Sequence, residues 1–222
     1  MTDMQQAYEE LQKQAIAYGS AYVDLYQQGR EQVSRWEYSR GGEVLHRGYY
    51  CPSPIFDIVV GNASRGHLLK RVSKSKAPDF TYGFSKDGRL VIADGPYCHL
   101  EGAYPALKEV ILHTNELQIG LGLEVWQEKY RLNRVSICRY QDGRILSYVL
   151  GTGWNPDTET FSECVLETYT YANGILKSAI WQDRHQWEDV LFRGCSYAFQ
   201  YDKNGCLAGY TAQDMDTTSF FN

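Results

Sequence analysis

The chain has little proline (6 residues in 222) and little methionine (3), and charged residues make up only 22% of it. Those shortages exclude a proline-rich linker, a disordered polyampholyte and a collagen-like repeat, since 43% hydrophobic residues are enough to bury a core. No window approaches the roughly 18 uninterrupted apolar residues of a membrane-spanning helix. The opening residues, Met1 to Glu10, combine no basic cluster with an apolar run, so the expectation is a cytoplasmic protein without a secretory leader and without a membrane partner.

Chemical signatures are equally scarce. The six cysteines, Cys51, Cys98, Cys138, Cys164, Cys195 and Cys206, form no C-x-x-C pair and read as reduced thiols. The five histidines, His46, His67, His99, His113 and His185, form no H-x-x-x-H, and only Cys98 and His99 are close, at a poor chelate spacing. There is no G-x-S-x-G, no Walker loop and no G-x-G-x-x-G; Gly151-x-Gly153 reads as a turn. The sequence therefore carries no expectation of a catalytic residue, a cofactor or a metal.

Tyrosine is abundant: 18 residues, more than Phe (8) and Trp (5) together, alongside 20 glycines. That pairing suits pleated strands and tight turns. Residues 3–28 read as one helix, with Thr2 and Gln5 as a capping box and Gly29 as its stop. Met4, Tyr8, Leu11, Ala15, Tyr18, Tyr22 and Leu25 fall on one stripe, which points to packing on the protein's own sheet more than to a coiled coil.

Beyond Gly29 the period changes to two. Asp87-Gly88, Asp142-Gly143, Asn173-Gly174 and Asn204-Gly205 lie between strand-like runs and mark hairpin tips. Gly41-Gly42, the stretch 62–66 and Asn115-Glu116 are weaker candidates. Turn centres near 42, 64, 88, 115, 143, 174 and 205 step by 22 to 31 residues, a recurrence that implies one supersecondary unit used repeatedly. A three-residue loop at Gly88 would set Phe84 against Leu90 and Tyr82 against Ile92. Two-residue turns would set Tyr140 against Ile145 and Tyr171 against Leu176. Pro105 could open a short helix, but a strand from Glu109 to Thr114 paired with residues 120–126 is the better reading. The expected fold is mainly β with an N-terminal α-helix: one domain, residues 1–222, whose residues 33–214 form an antiparallel meander, a strongly curved sheet or partly open barrel.

The run Tyr201-Asp202-Lys203-Asn204-Gly205-Cys206-Leu207 resembles the tyrosine-aspartate repeat of Rhs-type bacterial proteins. Phe84-Ser85-Lys86-Asp87-Gly88-Arg89-Leu90 is similar, with Ser where the repeat has Asp, and the tips at 143 and 174 are one residue shorter. In size and in its helix-then-meander order the chain also looks like the small immunity proteins that accompany bacterial toxins. That resemblance implies a non-catalytic inhibitor and a cognate toxin as partner.

Charge is unevenly spread. Residues 151–222 hold 4 Lys+Arg against 10 Asp+Glu, whereas residues 1–150 hold 18 against 17, so the last third carries the whole acidic excess. An acidic third disfavours nucleic acid and speeds encounter with cationic partners. The run Arg65, Lys70, Arg71, Lys74 and Lys76 reads as a solvated hairpin edge guarded against sheet association. Asp183, Trp187, Glu188 and Asp189 cluster around His185; the ordinary reading is a polar loop, and the functional one is a partner-binding aromatic anchor in an acidic rim. Trp181 reads as core. A different possibility is a small-molecule binder or hydrolase with a site in the sheet's concavity, near His99, His113 and His185.

Overall fold

The computed structural model describes residues 4–43, 47–59, 65–72, 77–96, 106–185 and 192–215. Two helices, α1 (Met4–Tyr18) and α2 (Tyr22–Glu31), precede strand β1 (Val33–Arg40). A 3₁₀ turn (Gly48–Tyr50), the four-residue α3 (Phe56–Val59) and the two-residue β2 (His67–Leu68) follow. The rest is β: β3 (Phe80–Ser85), β4 (Leu90–Pro96), β5 (Ala106–His113), β6 (Leu117–Trp126), β7 (Lys129–Gln141), β8 (Arg144–Thr152), β9 (Glu163–Ala172), β10 (Ile175–His185), β11 (Phe192–Tyr201) and β12 (Leu207–Asp214). Together the strands form one antiparallel sheet of twelve, ordered from β12 through β3 without a crossover, then β1 and β2. The sheet is open, with β12 and β2 at its edges, and does not close into a barrel. No helix among the described residues is long and apolar enough to cross a membrane.

The N-terminal helix is divided. Gly19 to Ala21 interrupt it, and the break shifts the buried stripe: Met4, Ala7, Tyr8, Leu11 and Ala15 face inward on α1, but Tyr26 and Gly29 do so on α2. Gly29 is not a stop, because α2 runs on to Glu31. A Cβ at Gly29 would lie 2.8 Å from Val110 Cγ2 and 3.1 Å from Ile92 Cδ1, so its missing side chain is what lets α2 approach the sheet. Thr2 lies outside the described residues. Both helices pack on the protein's own sheet, α1 over β7 to β9 and α2 over β4 and β5. Leu11, Leu121, Leu123, Val135, Ile137, Val149 and Leu166 form the centre of that layer. Helical tyrosines tie it down: Tyr22 Oη donates to the Tyr130 carbonyl at 2.9 Å, Tyr26 Oη donates to Asp94 at 2.7 Å, and the Phe161 amide donates to Tyr8 Oη at 3.1 Å.

The hairpin tips at Gly88, Asp142-Gly143, Asn173-Gly174 and Gly205 are present, and Thr114 to Glu116 close β5 and β6. All of these tips lie at one end of the sheet, so the recurrence near 30 residues counts pairs of strands. At the other end, Gln127-Glu128 join β6 to β7 with both residues at positive φ (47° and 63°) and no glycine, a turn that leaves no sequence signal. Asp142 and Asn173 also adopt positive φ, so the two short tips are type I′ turns and pair Tyr140 with Ile145 and Tyr171 with Leu176 as expected. At the Gly205 tip, Asp202 accepts hydrogen bonds from the amides of Asn204 (2.8 Å) and Cys206 (2.9 Å). At the Gly88 tip Ser85 Oγ takes over that place, accepting from the Arg89 amide at 3.2 Å, which explains physically why Ser can stand for Asp there.

Register differs in one detail. Phe84 faces Leu90, but a bulge follows, so Ile92 lies opposite Gly83 and Tyr82 opposite Ala93. The bulge sends both Val91 and Ile92 to the helix-covered core. The described residues between β1 and β3 are not a pair of hairpins either: β1 pairs directly with β3 on one side and with β2 on the other, and residues 47–58 cross the second face of the sheet. Residues 106–113 are strand, beginning three residues before the expected Glu109.

Leu11 is fully enclosed, whereas Ile16 on the same helix is 53% exposed. Leu11→Ala is expected to lower unfolding free energy by about 3 kcal/mol and Ile16→Ala by about 0.5 kcal/mol or less, measured by urea denaturation.

Candidate functional site

Of the four residues expected to bind a partner, the structure describes one. Asp183 lies inside β10, buried, opposite Val165 on β9 and Arg193 on β11. Asp183 is therefore a strand residue and not part of a polar loop, since β10 continues to His185 and β11 begins at Phe192. Trp187, Glu188 and Asp189 lie outside the described residues. Trp181 is half-buried against the aromatic cluster of β8 to β11. His113 ends β5 at the end of the sheet that carries the glycine tips, whereas His185 ends β10 at the opposite end, so these two do not converge. His99 lies outside the described residues. Among the basic run, Lys70 and Arg71 are exposed beyond edge strand β2, and Lys74 and Lys76 lie outside the described residues. Arg65 is no solvated cation: it donates to the carbonyls of Cys51 (2.8 Å) and Ser53 (2.5 Å) and to Asp57 (3.0 Å).

The polar chemistry of the molecule concentrates where residues 47–58 cross the sheet face opposite the helices. Arg47 opens this strap in the left-handed region (φ 68°) and sends its guanidinium into the sheet. Its Nε and Nη2 donate to the two Glu109 carboxylate oxygens, each at 2.8 Å, Nη2 also to Ser136 Oγ at 2.8 Å, and Nη1 to Gln118 at 3.0 Å. A second guanidinium, Arg134, stands 3.6 Å from Glu109. Strand β6 makes the room. A Cβ at Gly120 would fall 2.2 Å from both Arg47 and Glu109, and one at Gly122 would fall 2.4 Å from Arg134. Burial opposes ionisation of Glu109, but Arg47 and then Arg134 outweigh it and hold the carboxyl below its usual range. Arg47 shifts the other way for the matching reason: burial would lower it, and Glu109 raises it well above the normal guanidinium value. Tyr82 Oη secures the strap's first turn, donating to the Arg47 carbonyl at 2.9 Å and accepting from the Tyr49 amide at 3.0 Å.

A second cluster holds the strap's far half. Glu167 on β9 is buried and accepts hydrogen bonds from Ser53 and Tyr169. Burial pushes its carboxyl up to about 7, against those two donors and the charge of Arg65. Burial likewise pushes the Cys51 and Cys138 thiols up to about 12, which leaves them unreactive. Cys51, Cys138 and Cys164 are buried free thiols, and no disulfide forms among the described residues.

These groups are enclosed: Arg47, Ser53, Glu109 and Glu167 are each no more than 3% exposed. Their geometry fastens a strap and offers no open face to a substrate. Open space lies elsewhere, in a cleft of about 630 Å³ between the tips of β5–β6 and β7–β8, lined by Arg89, His113, Glu116, Arg139, Tyr140 and Asp142. Its cations are partly engaged, since Arg139 pairs with Glu10 and Arg89 with Asp87 at 3.0 Å. The signal for the buried cluster was present in Gly120-x-Gly122, because glycine within a strand marks close approach by other groups. Nothing local named Arg47 as the group approaching.

Glu167 binds its proton more tightly folded than unfolded, so between about pH 4.5 and its folded value near 7 the native state holds more protons. Its contribution to stability is full below that window and falls as pH rises through it, by at most about 3 kcal/mol. His113 titrates with the opposite sign, because burial lowers its folded value, so the difference between wild type and Glu167→Gln isolates the carboxyl. Urea denaturation from pH 5 to 7.5 is expected to show a falling contribution in wild type that Glu167→Gln lacks. At neutral pH, Arg47→Ala is expected to be destabilised by about 3–5 kcal/mol, because it strands a buried carboxylate. Comparison with protein-family models, curated proteins and solved structures finds no match to this chain.

Proposed function

We propose that the chain is a non-catalytic protein-binding protein, an immunity-type inhibitor that neutralises a cationic bacterial toxin by covering its active site. The observation that carries this reading is the contrast between enclosed and exposed chemistry. The polar groups gathered around Arg47 and Glu167 are enclosed beneath the strap, while the acidic third, β9 to β12 with its loops, exposes Asp157, Glu159, Asp202 and Asp214 together with Ile175, Leu207 and Tyr210. Apolar anchors within an acidic field are what recognition of a cationic surface requires. Two acids of that third are withdrawn from it: Glu167 and Asp183 are buried. In the sequence Glu188 and Asp189 follow Trp187 directly, and these three supply the acidic and aromatic side chains proposed for contact. A small-molecule site in the sheet has less support, since α1 and α2 cover one face and the strap crosses the other.

Co-expression with a toxin encoded beside it is expected to protect growing cells, and the purified pair is expected to bind more weakly as salt rises. Trp187→Ala and the double variant Glu188→Lys, Asp189→Lys are each expected to weaken binding about 10-fold or more, read by calorimetry. Unprotected cells and no measurable complex would remove the proposal.

A further inference from the structure

The two edges of the sheet are treated differently. β2 is two residues long and is followed by the exposed cations Lys70 and Arg71, a blunt edge that resists pairing. β12 is eight residues, Leu-Ala-Gly-Tyr-Thr-Ala-Gln-Asp, with no Lys, Arg or Pro, and almost every residue in it is exposed. Its inner side pairs with β11: the Met215 amide donates to the Gly194 carbonyl at 2.9 Å, directly across the ladder. Alternation then turns Gln213, Thr211 and Gly209 towards β11 and leaves Tyr210, Ala212 and Asp214 presenting both amide and carbonyl outward. Among the described residues nothing pairs with that side.

We propose that the outer edge of β12 pairs antiparallel with the same edge of a second copy of this chain, joining two twelve-stranded sheets across a two-fold axis. A two-fold edge contact is self-complementary, because each outward amide of one copy meets an outward carbonyl of an identical set. Side chains agree with it. Centring the axis on Tyr210 sets the two Tyr210 rings side by side as a cross-strand pair, and it places Asp214 opposite position 206 of the other copy. That position belongs to the tip whose exposed cation is Lys203, while Asp202 of the same tip is engaged by its own loop amides. Asp214 is the only ionised side chain in the strand and never faces its twin. Leu207 and Tyr210, 51% and 48% exposed, lie along this edge. Because β2 is too short and too basic to accept another edge, the assembly closes at two and does not grow into a fibre. This inference concerns the isolated chain: Leu207, Tyr210 and Asp214 also belong to the surface proposed for the toxin, but self-association is measured without one, so either proposal can fail without the other.

Light scattering of the full chain over a range of micromolar concentrations is expected to show a mass rising from 25.5 kDa towards twice that value. Ala212→Pro removes one outward amide and leaves the β11 ladder intact, and Tyr210→Lys brings like charges together at the axis. Each is expected to weaken dimerisation at least about 10-fold, with circular dichroism and melting unchanged at concentrations where wild type is monomeric. Hydrogen exchange of wild type supplies a readout free of mutation: the amides of Tyr210, Ala212 and Asp214 are expected to be protected at high concentration and to exchange freely on dilution. A monomer at every concentration, or a dimer that both variants leave intact, overturns the proposal. Protection that persists on dilution also overturns it, since the edge is then covered by the chain's own residues.

Discussion

The ion pair between Arg47 and Glu109 is the contact on which the second face of this sheet depends. A sheet of twelve strands has two broad surfaces to shield from water, and here they are shielded by unlike means. One is apolar and takes α1 and α2. The other has Glu109, Arg134, Ser136 and Glu167 near its middle, and no apolar helix could sit there without stranding those groups. Arg47 answers the carboxylate with two matched hydrogen bonds and reaches Ser136 and Gln118 as well, so the charge is buried satisfied. The strap is thereby fastened at a defined place, and its apolar residue Ile55 is carried onto the aromatic cluster around Tyr148 and Tyr169.

This arrangement separates enclosed polar chemistry from exposed polar chemistry. Groups that would be reactive in an open pocket are locked into scaffolding: the buried thiols are held neutral and Glu167 accepts hydrogen bonds from Ser53 and Tyr169. The exposed face of the last four strands keeps its charge and several apolar side chains in contact with solvent. The open edge of β12 belongs to the same region, so the proposed second copy and the proposed toxin would meet overlapping parts of one acidic surface. A dimer would then present two such surfaces on opposite sides of one continuous sheet edge.

Much of the fold was legible. The extent 33–214 matches the span from β1 to β12, and three of the four cross-strand pairs at glycine tips hold, because turn chemistry and side-chain period act over a few residues. The fourth, Tyr82 with Ile92, fails at a bulge, which inserts a residue without any compositional mark. The turn at Gln127-Glu128 was equally silent, since its positive φ values fall on residues that rarely adopt them. The stripe from Met4 to Leu25 persists through Gly19 and so spells one continuous helix, but the break at 19–21 rotates α2 so that Tyr26, absent from that stripe, becomes the buried anchor. The candidate site was least legible: Asp183 looked like a loop acid and is a buried strand residue.

By itself the sequence determined the class of structure: an N-terminal helical segment, a succession of antiparallel hairpins, the pairing of Tyr140 with Ile145, Tyr171 with Leu176 and Phe84 with Leu90, and an acid-rich final third. These follow from periodicity, turn residues and charge, which are properties of neighbours along the chain. Tertiary structure alone decided that the sheet stays open, that Arg47 crosses 62 positions to meet Glu109 and that Ser53 crosses 114 to meet Glu167. Contacts at that separation have no local spacing rule. They arise because a buried carboxylate demands donors from whatever segment the fold carries past it.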